Sequence, residues 1–313
     1  MPELPDITLY IERLTAKLIG QPLERVRLQS PFLVRTAVPP LSEAHGRTVQ
    51  GFERIGKRIV FDMGDELFLV LHLMIAGRLR WRDAGTAIHK KLGLAAFDFP
   101  HGSLMLTEAS SKKRAALHVV QGRDALRAVD PGGIDVMSSS LADFSEALTR
   151  ENHTIKRSLT DPRVLSGIGN AYSDEILHHA QLSPAKLTQK LTPDELARLH
   201  NSCKVVLQLW IERLRAELEP DGFPETVTAF HEAMAVHGRY GKPCPVCGAS
   251  VQRIAYADNE TNYCARCQTG GKLVADRSLS RLLKDDWPRT LTELEERALV
   301  RAPSVATGKP AKR

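Results

Sequence analysis

Cys244-Pro-Val-Cys247 and Cys264-Ala-Arg-Cys267 stand sixteen residues apart, and no other feature constrains the chain as tightly. Two short thiol pairs at this distance match the ligand spacing of tetrahedral zinc sites. Four thiolates close the coordination shell and leave no position for a reacting water. The single Zn2+ is therefore structural, and a zinc-dependent hydrolase is excluded. Five cysteines cannot all pair with one another, and a redox role is weak where two such pairs recur at zinc spacing. Cys203 lies alone in a helical stretch and reads as a small buried apolar residue. Gly248 and Tyr263 flank the pairs as turn and strand residues of a zinc-bound hairpin. Such a hairpin does not name its partner, since zinc ribbons bind DNA, RNA, protein or nothing.

The 313 residues suffice for about two domains, at ~150 residues each. With 42% hydrophobic residues the chain can build packed cores. The longest apolar run, Leu67 to Ile75, is broken by His72 and falls far short of the ~20 residues of a spanning helix. No basic and apolar leader is visible, so a cytoplasmic location without membrane attachment is the expectation. The net charge of +6 favours a polyanionic partner. Four of those charges (Arg301, Lys309, Lys312 and Arg313) sit in the last thirteen residues, and 6 − 4 leaves only +2 elsewhere. That tail, rich in Pro, Ala, Ser and Gly, reads as disordered.

Local texture changes along the chain. Thr8 to Ile19 carries Leu9, Ile11, Leu14, Leu18 and Ile19 at helical spacing, closed by Gly20. From about Leu23 to Val120 the pattern becomes short runs rich in Val, Ile, Leu and Phe, with turns at Gly64-Asp65, Gly85 and Gly102. Many strands with few helices predict a β-sandwich or barrel. Asp130-Pro-Gly-Gly and Ser138-Ser-Ser read as a linker, beyond which helices are predicted at Asp143 to Arg150, Ile155 to Leu159, Ala171 to Ala180 and Pro193 to Glu219. Thr192-Pro-Asp-Glu195 has the form of a capping box with proline at the first helical position. Ser278 to Leu299 is charged and partly helical. The chain is thus an α+β multidomain protein. Its expected divisions are 1–130 for the sandwich, 131–140 for the linker, 141–235 for the helical domain, 236–272 for the zinc finger and 273–313 for a C-terminal extension.

Pro2 carries the greatest chemical interest once Met1 is removed, which a small second residue permits. The exposed group is then a secondary amine. Terminal amines titrate near ~7.7–8.0, so a useful neutral fraction exists at physiological pH. Such a nitrogen can attack C1′ of a deoxyribose and form an iminium, whose positive charge acts as an electron sink for loss of a C2′ proton and the 3′-phosphate. Glu3 beside it can move protons at the sugar. Alone, the Pro-Glu pair is uninformative.

Five blocks in order make it informative. Pro2-Glu-Leu-Pro-Asp6 resembles the Pro-Glu-Leu-Pro-Glu start of the formamidopyrimidine-DNA glycosylase/endonuclease VIII family. Arg54-Ile-Gly-Lys57-Arg-Ile-Val is similar to that family's hairpin lysine motif, and Leu71-His72-Leu-Met-Ile-Ala-Gly77 to its His-Leu-Gly-Met-Ser-Gly stretch. Ile155-Lys156 through Ser166-Gly-Ile-Gly-Asn170-Ala-Tyr172-Ser-Asp-Glu resembles its helix–two-turn–helix, and Val236-His-Gly-Arg-Tyr-Gly-Lys-Pro-Cys244 leads into its zinc hairpin. The blocks span roughly residues 2 to 270. The resemblance implies a base-excision glycosylase and abasic-site lyase working as a monomer on damaged double-stranded DNA. It makes Pro2 the nucleophile, Glu3 the general acid and Lys57 a proton donor in β-elimination. It places His72, Lys156 and Asn170 on phosphates of an extruded nucleotide, because C1′ of a stacked one is out of reach. The turn at Gly167, Gly169 and Asn170 opens a helix, so its backbone N–H groups could also hold a phosphate.

Three departures stand out. Asn259 occupies the position, five residues before the third cysteine, where the family usually has arginine; its amide can contact phosphate but carries no fixed charge. The family's Asp-Pro-Arg-Arg-Phe-Gly wedge loop is replaced by Glu108-Ala-Ser-Ser-Lys-Lys113-Arg114-Ala-Ala-Leu. With no intercalating aromatic, Met74 or Ile75 together with Lys113 or Arg114 would have to fill the void. More than forty residues follow the zinc hairpin. These changes leave the lesion open and keep one alternative in view: a DNA-binding family member that retains fold and zinc without catalysis.

Overall fold

Short apolar runs between residues 25 and 121 build eight strands, and their pairing produces two four-stranded antiparallel sheets. The first has the order β1 (Arg25–Leu28), β6 (Gly93–Phe99), β7 (Gly102–Glu108), β5 (Gly77–Arg82). The second has the order β2 (Gly51–Ile55), β3 (Arg58–Asp62), β4 (Leu67–His72), β8 (Ala116–Gln121). The computed structural model describes residues 1–313 except 226, 228–230, 256–259, 275–279, 281, 283 and 302–313. Inward residues of both sheets, among them Ile59, Phe61, Leu69, Leu71, Phe97, Leu104 and Leu117, form one core. Each large apolar side chain buried there contributes roughly 1.5–3 kcal/mol. The sandwich predicted from the strand texture is present.

Helix α1 (Leu4–Leu18) begins four residues earlier than the periodicity suggests. The terminal motif is itself the helix entry: Pro5 sits in the first turn, and the Glu3 N–H donates to Asp6 Oδ2 at 2.8 Å. Ile7, Tyr10, Leu14 and Leu18 bury one face in the sandwich core, whereas Leu4 joins the core of the helical domain. One helix therefore belongs to both halves, which fixes residues 2 and 3 at their seam.

After the short helix α2 (Arg123–Arg127), the helical half comprises α3 (Leu141–Thr149), α4 (Ile155–Thr160), α5 (Asn170–His179) and α6 (Pro193–Ala216). The Thr192–Glu195 capping box is formed, with Glu195 N–H donating to Thr192 Oγ1 at 3.2 Å. Cys203 is fully buried among Leu199, Leu207 and Trp210, and burial alone pushes its thiol far up, so it is inert. The segment between the halves is not a loose tether. Gly133 N–H bonds Pro162 O at 3.1 Å, Ser166 N–H bonds Ile134 O at 2.8 Å, and Asp135 pairs with Arg54 of β2. Arg215 of α6 reaches back to Glu12 of α1 at 2.9 Å.

The zinc hairpin pairs β9 (Gln252–Ala255) with β10 (Glu260–Tyr263), followed by the one-turn helix α7 (Ala265–Thr269). A last helix, α8 (Leu291–Arg301), occupies part of the stretch expected to be partly helical, and Leu291 packs on the zinc-finger core. Among the described residues no helix is long and apolar enough to cross a membrane.

Candidate active site and zinc centre

Glu3 is 2% exposed although its side chain is polar, because the start of α5 receives it. Its carboxylate accepts N–H groups from Gly169 at 2.6 Å, Ala171 at 2.9 Å and Tyr172 at 3.3 Å. These are N–H groups that a helix start leaves without internal partners, and the positive end of the helix dipole adds to their attraction. The backbone donors offered above to a phosphate are thus taken up by the protein's own acid. Leu4 N–H bonds Gly167 O at 2.9 Å and completes the docking of the terminus on this turn.

Two glycines make the approach possible. Gly167 has φ +85°, and a Cβ there would lie 2.9 Å from Leu4 Cβ. A Cβ on Gly169 would lie 2.6 Å from the Glu3 carboxylate and 2.7 Å from Lys57 Nζ. The acid and the lysine therefore press against the same glycine from two distant parts of the sequence. Lys57 is 9% exposed, at the turn between β2 and β3. Burial pushes its ammonium below the usual lysine range; Glu3 opposes that shift, and Lys156 adds repulsion. A lysine so placed gives up a proton more readily than a solvated one, which suits proton transfer.

Pro2 is buried beside this pair. With Met1 ahead of it, its nitrogen is an amide, and burial lowers the amine of Met1 itself. Two further polar atoms near the terminus, Asp6 Oδ1 and Tyr172 Oη, are buried without a hydrogen-bond partner. Orphans of this kind are rare in native interiors and mark places where another group belongs. Burial raises the Asp6 carboxyl to about 7, from a usual aspartate value near 3.8, while its bond from the Glu3 N–H pulls the other way. The folded state thus holds a proton that the unfolded chain releases, and stability falls as pH rises from about 4 to about 7. In protein that keeps Met1, Asp6→Asn is expected to remove this loss, making the variant more stable than the parent at pH 8 by up to ~4 kcal/mol, with little gain at pH 4. Urea unfolding at both pH values checks it; an equal effect at the two pH values would contradict a raised Asp6.

Lys156 and Asn170 come together, though not as free phosphate ligands. Lys156 Nζ donates to Asp174 Oδ1 at 2.6 Å and to Asn170 O at 2.7 Å. Asp174 is fully buried, and its Oδ2 lies 2.7 Å from His237 Nδ1 and accepts Asn262 N–H of β10 at 3.2 Å. Asn170 Nδ2 donates to Glu260 O at 2.9 Å. Glu175, next along α5, accepts backbone N–H groups of Ala235, Val236 and His237 at 2.7–3.0 Å. Asp174 and Glu175 thus fasten α5, the segment before the zinc finger and the zinc hairpin to one another. Sequence inspection quoted both acids without giving them a role. The signal was there: Asp174 lies one helical turn after Asn170, on the same face.

His72 ends β4, half-buried, close to Lys57. Burial, reinforced by Arg58, Lys57 and His118, pushes it down to about 4, so it is neutral at pH 7 and offers an N–H. Lys113 and Arg114 lie in the loop that replaces the wedge. The buried Glu108 carboxylate clamps that loop by accepting the N–H of Arg114 at 2.9 Å and of Ala115 at 3.1 Å, and Lys113 Nζ bonds Glu108 O. Both side chains stay on the surface. Met74 adopts φ +54°, and the adjacent Ile75 is 55% exposed. Asn259 lies outside the described residues.

The four zinc ligands converge. The Sγ atoms of Cys244, Cys247, Cys264 and Cys267 lie within 4.8 Å of one another, with Cys244 to Cys267 at 3.9 Å and Cys247 to Cys264 at 3.4 Å. Four thiolates at ~2.3 Å around one zinc ion require separations of about 3.8 Å, so the cluster fits. His178 Nε2, 3.3 Å from Cys244 Sγ, ties α5 to the centre, and sequence inspection had not singled it out.

Fold and site together define a two-lobed zinc-finger protein whose N-terminal acid is seated on a helix start, at the seam of a β-sandwich and a helical domain. The chain belongs to the formamidopyrimidine-DNA glycosylase family. Residues 1–130 match the model of the formamidopyrimidine-DNA glycosylase N-terminal domain, 133–219 that of its H2TH domain and 241–270 the zinc finger found in FPG and IleRS. A formamidopyrimidine-DNA glycosylase of Heliobacterium modesticaldum is 30% identical over 283 residues, covering 86% of this chain and all of that one. An uncharacterized formamidopyrimidine-DNA glycosylase-like protein of Mycobacterium tuberculosis is 42% identical over 158 residues, half of this chain and 96% of its own length. The structure of Lactococcus lactis Fpg in complex with abasic-site DNA superposes with a TM-score of 0.76 at 27% identity, covering 85% of this chain and 99% of that one.

Proposed function

We propose that this protein excises a damaged base from duplex DNA and nicks the strand by β-elimination, through a Schiff base on Pro2 exposed by removal of Met1. The observation that carries this is the convergence on Gly169 of Lys57 and of Glu3, the residue that follows the buried Pro2. The neutral Pro2 nitrogen attacks C1′ as the bond to the base breaks; the base takes a proton from water as it leaves, and the N–H proton of the attacking amine passes to the Glu3 carboxylate. Glu3, oriented by three backbone N–H groups, delivers a proton to the opening sugar ring oxygen. The resulting iminium draws electrons from C2′ as its proton departs, and the 3′-phosphate leaves. Lys57, poised by burial, gives its proton to the departing phosphate oxygen, and the Glu3 carboxylate takes the proton lost from C2′. Water then hydrolyses the iminium and restores Pro2. The orphaned Asp6 Oδ1 supports the same reading, because a processed ammonium would bring a donor into its neighbourhood. The solved relative bound to abasic-site DNA supports the class of substrate. The protein acts as a monomer, in the cytoplasm or on the nucleoid, with one structural zinc ion.

Borohydride reduction tests this directly. Wild-type protein, confirmed by intact mass to lack Met1, is expected to be trapped covalently on a duplex with an abasic site. Pro2→Gly should lower trapping by at least about tenfold, and a variant blocked at the terminus by retained Met1 should give none. A blocked terminus that still nicks at the parental rate would dispose of the Schiff-base chemistry.

A further inference from the structure

The outer face of the second sheet ends in a cluster of one arginine and two histidines that the chemistry above does not use. Antiparallel register places Arg58 of β3 directly opposite His72 of β4, and His72 opposite Ala116 of β8. His118, two residues further along β8, shares that face. Val60, Phe68, Val70 and Val120 fill the rest of the face and are packed under Leu126 and Val129. Its other end holds the paired Arg123 and Glu53. At the end nearest Lys57, Arg58, His72 and His118 are half-buried, and among the described residues their side chains have no hydrogen-bond or salt-bridge partner. The carboxylate that influences Arg58 is that of the exposed Asp130. Three half-buried cations elsewhere have carboxylate partners: Arg54 with Asp135, Arg27 with Asp98 and Lys156 with Asp174.

Desolvating a guanidinium beside a lysine and two imidazoles is unfavourable unless an anion completes the group. Burial, then Arg58, keeps both histidines below their ordinary range, so each presents an N–H while Arg58 carries the fixed charge. Two N–H donors flanking one guanidinium suit a tetrahedral oxyanion. We propose that Arg58 and His118, together with His72, form a phosphodiester-binding subsite that grips the DNA backbone next to the Lys57 pocket. This rests on the DNA-processing reading above and extends it to Arg58, which the hairpin motif contains without a role, and to His118, which lies in no motif.

Fluorescence anisotropy on a duplex with a tetrahydrofuran abasic analogue, across a salt series, measures the contribution. Arg58→Gln should raise Kd about five- to tenfold near 0.1 M salt and lower the slope of log K against log salt by roughly one. Adding His118→Gln should weaken binding further. Arg25→Gln, at an exposed cation of β1 whose partner Asp98 is still held by Arg27, serves as control and should change neither quantity. Unchanged affinity and slope in the double variant would overturn the subsite. A second arm measures thermal stabilisation by inorganic phosphate against chloride at matched ionic strength. Stabilisation lost in Arg58→Gln, with DNA binding unaltered, would show an anion site that does not serve DNA and would also overturn the proposal. Wild-type protein that fails to bind the duplex at all would refute the DNA-processing reading, and the subsite with it.

Discussion

Glu3→Gln is expected to leave a folded protein that binds duplex DNA yet excises bases about 10²–10⁴-fold more slowly in single-turnover assays. The amide keeps one oxygen to accept from the start of α5 but turns an NH2 toward the remaining donors among Gly169, Ala171 and Tyr172. Leaving a buried N–H unsatisfied costs roughly 1–3 kcal/mol, so a modest fall in Tm should accompany the kinetic loss. The two effects separate cleanly, because one backbone donor cannot account for several orders of magnitude in rate. Retention of parental excision rates by a properly processed Glu3→Gln protein would remove Glu3 from the chemistry.

Loss of zinc should produce the second large effect. Cys264→Ser, or prolonged chelation, is expected to open the hairpin and weaken binding to abasic-analogue duplex on the order of 100-fold. The reason lies in what the hairpin holds. β10 supplies Asn262 N–H to Asp174 and Glu260 O to Asn170, and Asp174 in turn holds Lys156. Releasing the hairpin deprives the fully buried Asp174 carboxylate of its Asn262 N–H donor and Asn170 of its acceptor, which leaves the remaining ion pair poorly satisfied. Zinc content by intact mass, hydrogen exchange over residues 244–267 and anisotropy would follow the process. A zinc-free protein with parental DNA affinity would show that the hairpin has no part in binding.

How much of this was legible beforehand depended on the range of the interaction. The zinc ligands were, because metal coordination selects residue type and spacing and the fold only has to bring the pairs together. The sandwich was, because short runs of Val, Ile, Leu and Phe closed off by turn residues are too brief for helices and suit paired strands. The capping box at Thr192 and Glu195 is a four-residue matter and formed as read. The onset of α1 was misplaced by four residues, because the proline-rich start looks like a loop until the Glu3 N–H finds Asp6.

The site itself divides in the same way. Pro2, Glu3 and Lys57 were singled out from local motifs and the resemblance they carry, but nothing local shows that Glu3 and Lys57 share one glycine 166 positions beyond Glu3. Nor could local pattern show that the N–H groups of that turn were already occupied, or that Lys156 is neutralised by Asp174. The amino-acid order by itself determined which groups can act: thiolates for zinc, a ring nitrogen for a sugar carbon, a lysine and an acid for protons. Tertiary structure alone decided which of them meet, which are desolvated and which cations remain unpaired, since proton affinity and charge depend on neighbours brought from far along the chain.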